Sequence, residues 1–285
     1  MKRLVSRAFL LTIISAVIAA AAPSSEVRGS FSRTFQVSGP VDLEVTNGSG
    51  DVTVRTGSTA TVEIRAKIHA SGAAAQESRV HEIESNPPLE QDGNTIRVRQ
   101  IQHEEGQNIS IDYEITTPPE TRLNSRTGSG DVTVEGIRGP VEAQTGSGDV
   151  KMSAVHGNIT AQTGSGDTRF DGIDAERVEI QTGSGDVEVH DVHCALEART
   201  GSGDIRAVGN PTGAWRLNTG SGEIKLNLPA DLGFDLDARS QSGDVNSQLP
   251  ISVQGMLGRG ELRGKVRGGG VPVELQTGSG DISID

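Results

Sequence analysis

The stretch TGSGDVTVEGIRGPVEAQTGSGD (Thr127–Asp149) spans one full period of a repeat that runs through most of this 285-residue chain. The string TGSGD recurs along the sequence, and the variants NGSGD, TGSGE and SQSGD extend the series. From Asp131 to Glu223 the acidic residue returns every 18 or 19 residues. This period is too short for helical repeats or for a propeller blade. It matches one coil of a parallel β-solenoid (β-helix), so we predict an all-β fold with about 18–19 residues per coil.

Alternation within each period supports strands. In the first period Val132 and Val134 follow the acid at every second position, and Val141 and Ala143 do the same further on. Such alternation is typical of strands with one buried face. We therefore predict two or three short strands per coil around a narrow apolar core, with residues such as Glu142 facing solvent.

The glycines of each motif predict a sharp corner, because glycine reaches positive φ without steric cost. Stacked coils would place each corner about 4.8 Å above the last. The Thr, Ser and Asp side chains would then form columns along one edge. We expect their oxygens to accept hydrogen bonds from turn N–H groups, their own or a neighbour's.

The first 22 residues have the features of a signal peptide. Lys2, Arg3 and Arg7 precede an apolar stretch that ends in small residues. This predicts export to the periplasm, the cell surface or the medium. It also predicts that no transmembrane segment remains after the signal is removed.

The mature chain divides into two regions that differ in how regularly the repeat recurs. Residues 24–126 alternate less regularly and are predicted to be a β-rich region that supplies the first coils or a cap. This region contains one predicted short helix at 71–85, which Pro87 and Pro88 terminate.

Residues 127–285 form the predicted repeat solenoid. The 37-residue step from Asp244 to Asp281 is interpreted as two coils with a degraded middle motif. Because the sequence closes on a repeat, DISID, we also expect an uncovered strand edge at that end.

The acidic, aromatic-poor composition argues against several classes of partner. The chain has 26 basic and 38 acidic residues and a net charge of −12, which disfavours nucleic acids and anionic membranes. Aromatic residues are scarce, so stacking platforms for sugars or bases are few. Cys194 is the only cysteine and is predicted to be a small buried side chain.

The stacked aspartates are the sharpest candidate for a metal site. Like charges about 5 Å apart repel, and a cation between coils would relieve that repulsion. The calcium-binding repeats of RTX proteins are the nearest analogy, but their acid stands elsewhere in the motif and recurs more often. We therefore predict a turn-stabilising role, no metal and no cofactor. The low-ranked calcium candidates are Asp131, Asp149, Asp167, Asp186 and Asp204.

No catalytic residues are predicted. The glycine-rich corners lack a nucleophile-elbow pattern and are followed by no helix. His190 and His193 are predicted to lie on a loop beside an inward Val192, and they form no metal-binding pattern with the other histidines. Arg169 and Arg206, at equivalent outward positions two coils apart, are the only hint of a glycan-cleaving groove.

Several segments together resemble the bacterial putative adhesin family, an exported β-solenoid domain of unknown function. The resemblance rests on FQVSGPVDLEVTNGSGDVTV (35–54), ISIDYEITTP (109–118), GRGELRGKV (258–266) and VELQTGSGDISI (273–284), together with the serial corners. It implies a binding role at the surface or in the periplasm, with no catalytic residues to carry over.

The sequence thus predicts a non-enzymatic cell-envelope or surface protein, an adhesin or scaffold. Its flat, polar outer faces would bind a surface or matrix ligand, either protein or glycan. Two alternatives remain: a calcium-organised repeat protein and a β-helix glycan lyase or hydrolase.

Overall fold

The computed structural model describes residues 26–71, 75–101, 108–253 and 260–285. Over these ranges the chain is mostly β-strand, and its one helix is α1 (Ala75–Ser85). The strands join one mixed, largely parallel sheet. The all-β prediction is confirmed at this level, and the helix expected at 71–85 is confirmed over 75–85. The predicted signal peptide lies outside the described residues.

The strands follow the repeat closely. Up to the second TGSGD motif they are β1 (Glu26–Gln36), β2 (Val41–Ser49), β3 (Val52–Thr56), β4 (Thr61–Ser71), β5 (Leu89–Asp92), β6 (Thr95–Val98), β7 (Asn108–Thr117), β8 (Thr121–Ser129) and β9 (Val132–Glu135). The next group is β10 (Val141–Ser147), β11 (Val150–Ser153), β12 (Ile159–Ser165), β13 (Thr168–Ser184), β14 (Val187–Ser202), β15 (Ile205–Gly209), β16 (Trp215–Ser221) and β17 (Ile224–Asn227). The last group is β18 (Phe234–Ser242), β19 (Val245–Ser247), β20 (Ile251–Val253), β21 (Glu261–Val266), β22 (Val271–Ser279) and β23 (Ile282–Ile284).

These strands build two parallel ladders that meet at the glycine corners. The first ladder holds the strands that enter a corner, in the order β6–β2–β8–β10–β12–β13–β14–β16–β22–β18. The second ladder holds the strands that leave a corner, in the order β7–β3–β9–β11–β13–β14–β15–β17–β23–β19. Pairing is in register with the repeat, so Thr145 lies between Thr127 and Thr163. We call one entering strand, its corner and the following strand a coil.

The inward positions of both ladders form a shared apolar core, as predicted. In the first ladder the buried residues include Val141, Ala143, Ile159, Ala161, Val178, Ile180, Leu196, Ala198, Trp215 and Leu217. In the second they include Val132, Val134, Val150, Met152, Phe170, Val187, Val189, Ile205, Ala207, Ile224 and Leu226. The middle positions Ile137, Val155, Ile173 and Val192 are buried as well. The buried residues thus recur at equivalent positions of paired neighbouring coils, and burial between neighbouring units is what stabilises repeat proteins.

Cys194 is buried in this core, as predicted, and burial raises the pKa of its thiol to about 12. Its carbonyl oxygen accepts a 3.0 Å hydrogen bond from the indole nitrogen of Trp215, one coil away. A buried thiol held in its neutral form is inert, which fits a packing role.

The loop predicted around His190 and His193 is absent from this part of the structure. β13 and β14 run without a break from one corner to the next, so both histidines lie on β14. Ile173 pairs with Val192 in the stretch where shorter strands leave a gap in the other coils. The prediction was wrong because strand pairing between these two coils extends across the middle of the repeat.

The coils at the end of the sequence do not stack in chain order. β22 lies between β16 and β18, and β23 lies between β17 and β19. The coil 271–284 is therefore inserted between the coils 215–227 and 234–247. The segment that connects the coils 234–247 and 271–284 in sequence includes β20 and β21. These two strands pair with each other in antiparallel fashion, and β21 also pairs with β18.

Two expectations are corrected by this order. The 37-residue step contains a β20–β21 excursion and one coil, not two coils with a degraded middle motif. The DISID coil is paired on both sides, so it is not the uncovered edge that the sequence suggested.

The start of the chain makes a similar excursion. The coil of β2 and β3 lies directly on the coil of β8 and β9, although residues 57–120 separate them in sequence. The excursion adds the antiparallel order β1–β4–β7 to the second ladder. Helix α1 packs on β1, where the Ser30 N–H donates a 2.8 Å bond to Glu84.

Candidate functional site

Close stacking at the corners requires glycine at both positions of the motif. Gly166 has φ +153°, and a Cβ there would lie 2.0 Å from the carbonyl oxygen of Gly148 in the next coil. A Cβ on Gly164 would lie 2.5 Å from the carbonyl oxygen of Gly146. Only the second glycine therefore needs the left-handed region predicted for the corner. The first is needed because the neighbouring backbone comes so near.

The corner acids from Asp51 to Glu223 form a continuous hydrogen-bonded column, which we call the acid column. In each coil one carboxylate oxygen, Oδ1, accepts the backbone N–H of the acid in the adjacent coil, at 2.8–2.9 Å from Asp51 to Glu223. The same bond joins Asp281 to the N–H of Asp244. The predicted turn-stabilising contact to a neighbour's N–H group is present throughout this series.

The calcium candidates all belong to the acid column. Asp131, Asp149, Asp167, Asp186 and Asp204 each use Oδ1 for this backbone bond. Within the described ranges, no group of three or more His, Cys, Asp or Glu side chains is arranged to hold a metal ion. Calcium needs about six oxygen ligands. The calcium alternative stays a prediction, with one oxygen of each carboxylate already engaged.

The corner threonines act in the opposite sense to the one expected. Their hydroxyls donate to the carbonyl oxygen of the second glycine in the neighbouring coil, at 2.9–3.3 Å, rather than accepting from an N–H group. The donors are Thr145, Thr163, Thr182, Thr200, Thr219 and Thr277. These side chains are buried, so each bond gives a buried hydroxyl the partner it needs.

Two residues at the start of the acid column were missed by the sequence reasoning. Asp112 of β7 accepts the Asp51 N–H at 3.0 Å and so takes the place of a corner acid. Asn47 stands where most other corners have threonine, and its amide donates to the carbonyl oxygens of Gly50 and Ile111. An amide supplies two donors where a hydroxyl supplies one. The change from TGSGD to NGSGD was the signal that this corner faces a different neighbour.

Lys151 forms ion pairs with two successive acids of the acid column. Its ammonium group lies 3.3 Å from Asp131 and 3.1 Å from Asp149. The pKa of Asp149 is lowered, first by the Asp167 backbone N–H and then by Lys151, and the pKa of Lys151 is raised by Asp149. The remaining candidate acids form no ion pair with a described residue.

A groove of about 280 Å³ runs beside the next part of the acid column, across four consecutive coils. In this part Glu223 is paired with Lys225 at 2.7 Å. One wall is the acid column from Asp167 to Glu223. The other wall is the outward residue two positions after each acid. In stacking order these outward residues are Arg169, Glu188, Arg206 and Lys225.

Glu188 joins the two arginines that the sequence had singled out. It lies 2.5 Å from Arg169 and 3.7 Å from Arg206, and His190 contacts its other side at 3.1 Å. Hydrogen bonds from His190 and Arg169 lower the pKa of Glu188, and Glu188 raises the pKa of Arg169. The structure thus confirms the equivalent positions of Arg169 and Arg206. Glu188 was not predicted as part of this group, although it occupies the same repeat position.

The outer face of the first ladder is polar and cross-linked by ion pairs between coils. Arg126 contacts Glu142 at 2.7 Å, and Arg177 contacts Glu197 at 2.9 Å. Gln144, Gln162 and Gln181 lie side by side in the same column. These groups repeat along the stack instead of converging on one point, so this face can offer many similar contacts.

No helix among the described residues combines the length and apolar character needed to cross a membrane.

Comparisons with known proteins place these features in a family context. The model of the Toastrack DUF4097 family matches residues 41–285. A search of curated proteins gave no match.

The chain is also similar to solved structures. One is described as a putative adhesin from Bacteroides fragilis NCTC 9343, with 13% identity, coverage of 90% of this chain and 97% of that one, and a TM-score of 0.49. A second, a putative lipid binding protein from Parabacteroides distasonis ATCC 8503, shares 13% identity over 89% and 96% of the two chains, with a TM-score of 0.45. A third, a putative cell adhesion protein from Clostridium sporogenes ATCC 15579, shares 14% identity over 90% and 99%, with a TM-score of 0.28.

Proposed function

We propose, from the premise that the chain belongs to the Toastrack DUF4097 family, that it is a non-enzymatic binding scaffold of the cell envelope or surface. It acts as an adhesin through outer faces that repeat the same polar groups at every coil. The signal-like residues 1–22 support export, to the periplasm, the cell surface or the medium.

We further propose that the two ladders are faces of one parallel β-solenoid with 18–19 residues per coil. The in-register pairing of equivalent residues in successive coils supports this architecture. A rigid stack of this kind presents binding groups at fixed spacing, so a polymeric or repetitive ligand meets several of them at once.

The observation that carries the proposal is the use made of the acidic side chains. A catalytic carboxylate pair needs two groups in contrasting environments, so that one is protonated and the other is ionised. Here successive corner acids make the same backbone bond at nearly the same distance. They therefore support stacking through Oδ1, and their second oxygens and the other outward groups are left for contacts with a ligand.

Charge narrows the class of ligand. A net charge of −12 repels nucleic acids and other polyanions. The polar outer faces fit the surface of a protein or a glycan, contacted by many weak hydrogen bonds.

The proposal is tested by exposing the purified chain to arrays of glycans and matrix proteins, while product release from the same glycans is followed. Retention on at least one ligand with no product is expected. Turnover of a polysaccharide would instead support the lyase or hydrolase alternative.

The same preparation, melted with and without a calcium chelator, addresses the calcium-organised alternative. An unchanged melting temperature is expected. A fall of many degrees on chelation would replace the proposal with a calcium-dependent repeat.

A further inference from the structure

We propose that the groove beside the acid column, between Asp167 and Lys225, binds a neutral linear glycan that lies along the stack. This inference rests on the proposed binding function and names the ligand class of one site within it.

The spacing of the donors supports a polymer with a two-unit repeat. Arg169 and Arg206 occupy the same repeat position two coils apart, with Glu188 between them. Two strand spacings amount to roughly 9.6 Å. That distance is close to the length of two sugars in an extended β-1,4-linked chain, so both arginines would meet equivalent hydroxyl groups.

The groove offers donors on one wall and acceptors on the other. Arg169 and Arg206 donate, as does Lys225, which also pairs with Glu223 at 2.7 Å, whereas Glu188 and the acid column accept. Asp167, Asp186 and Asp204 use Oδ1 for backbone N–H groups and form no ion pair with a described residue, so Oδ2 can accept a sugar hydroxyl. A sugar hydroxyl both donates and accepts, which suits a groove with both kinds of wall.

The arginines are positioned before any ligand arrives. Glu188 binds Arg169 through two hydrogen bonds, at 2.8 and 2.5 Å, and also attracts Arg206 at 3.7 Å. Side chains that are already ordered lose less conformational entropy on binding.

The charges around the groove disfavour an acidic glycan. Five carboxylates line it, those of Asp167, Asp186, Glu188, Asp204 and Glu223, against three cationic side chains. The excess of negative charge repels uronates and sulfated sugars. An uncharged glycan meets no such repulsion.

The test measures binding of β-1,4-linked hexamers of glucose and of N-acetylglucosamine to the full chain by calorimetry. The variant Arg169→Gln/Arg206→Gln is expected to bind them at least tenfold more weakly, because hydrogen bonds from charged groups are the strong ones in such a site. The matched control is Arg199→Gln/Arg239→Gln, which removes two arginines from the outer face of the first ladder. Each of these also contacts a carboxylate, so the change in charge and pairing is similar.

Binding of a neutral hexamer that the groove variant loses and the control retains is the expected result, with little dependence on salt. The inference is overturned if neither hexamer binds, if both variants bind equally, or if a galacturonate hexamer binds instead. Adhesion of the groove variant to other ligands on the arrays would leave the proposed function standing while the groove assignment falls. If the unmodified chain bound no ligand on the arrays, both the proposed binding function and the groove assignment would be wrong.

Discussion

The coils between residues 121 and 227 and the coils between 234 and 285 use the same corner but are assembled differently. In the first region each coil lies on the one before it in sequence. In the second, the coil 271–284 enters between two coils that precede it. The corner bonds are alike in both, since Thr277 donates to the Gly222 carbonyl oxygen and the Ser240 hydroxyl donates to that of Gly280.

This difference teaches that the corner specifies stacking without specifying the partner. Any corner offers a carbonyl oxygen and a carboxylate to the next one. In the second region, the stacking order of the coils is set by the strand pairing outside the corners. β21 and β22 pair with β18 on opposite sides, so the chain between them crosses the end of β18. Gly233 and Gly270 make that crossing possible, because a Cβ on Gly270 would lie 2.2 Å from the Gly233 carbonyl oxygen.

The largest effect is expected from deleting residues 271–285. The deletion removes the buried side chains Val273, Leu275, Ile282 and Ile284, each of which contributes about 1.5–3 kcal/mol by burial. We expect amide hydrogen exchange to accelerate throughout 234–247 while protection persists in 121–209. Full protection in 234–247 would contradict this, and would show that this coil can stack directly on 215–227.

A second large effect is expected within the in-order region. Gly166→Ala places a methyl group against the Gly148 carbonyl oxygen and should cost about 3 kcal/mol or more, as strained core substitutions do. For a chain of this size that lowers the melting temperature by roughly 6–12 °C. The control is Gly268→Ala in the crossing segment, where φ is +90° but no described atom would lie within 4 Å of the added Cβ. Equal losses would mean that backbone φ, and not close stacking, accounts for the glycine.

Two buried threonines should respond to the same substitution with opposite signs. Thr200→Val removes the donor to the Gly185 carbonyl oxygen and is expected to destabilise by about 1–2 kcal/mol. Thr168→Val replaces a buried hydroxyl that has no hydrogen-bond partner among the described residues, and it is expected to stabilise by about 1 kcal/mol. Denaturant unfolding of both variants measures the two changes. A loss of stability in Thr168→Val would show that its hydroxyl finds a partner in solution.

The smallest effect concerns the pH dependence of Asp149. Its pKa is lowered by the Asp167 N–H and by Lys151, so the contribution is complete above its ordinary value of 3.8 and is lost as the pH falls through the folded value. We expect wild type to melt at a higher temperature than Asp149→Asn at pH 7. The two curves should converge below pH 3.8. A gap that persists in acid would show that the charge of Asp149 is not the cause.

Much of the regular region could be predicted from the sequence. The 18–19-residue period indicated the stacked corners, and the repeat alignment identified the inward residues, including Val192 at the middle position. The resemblance to the adhesin family is confirmed by the match over residues 41–285. These features depend on local periodicity, which a single sequence displays directly.

The features that were missed depend on contacts between distant segments. The sequence does not reveal that coil 271–284 precedes coil 234–247 in the stack, because the corners are nearly interchangeable. Asp112 stands outside any repeat, so nothing local marks it as a corner acid. Glu188 could have been found, since it shares a repeat position with Arg169 and Arg206, but its role appears only when the three are placed side by side.

The one-way chain of carboxylate-to-amide bonds has a consequence for how such a protein can change in length. Between Asp131 and Asp204, the backbone N–H of each corner acid donates to the carboxylate of the acid one coil earlier, so successive coils are joined by the same bond. Duplication of one coil in frame would lengthen the stack by a single strand spacing and leave the coils at its two ends unchanged. Insertion of a whole coil is therefore expected to preserve the stacking of the other coils, whereas insertion of a few residues at a corner would disrupt it.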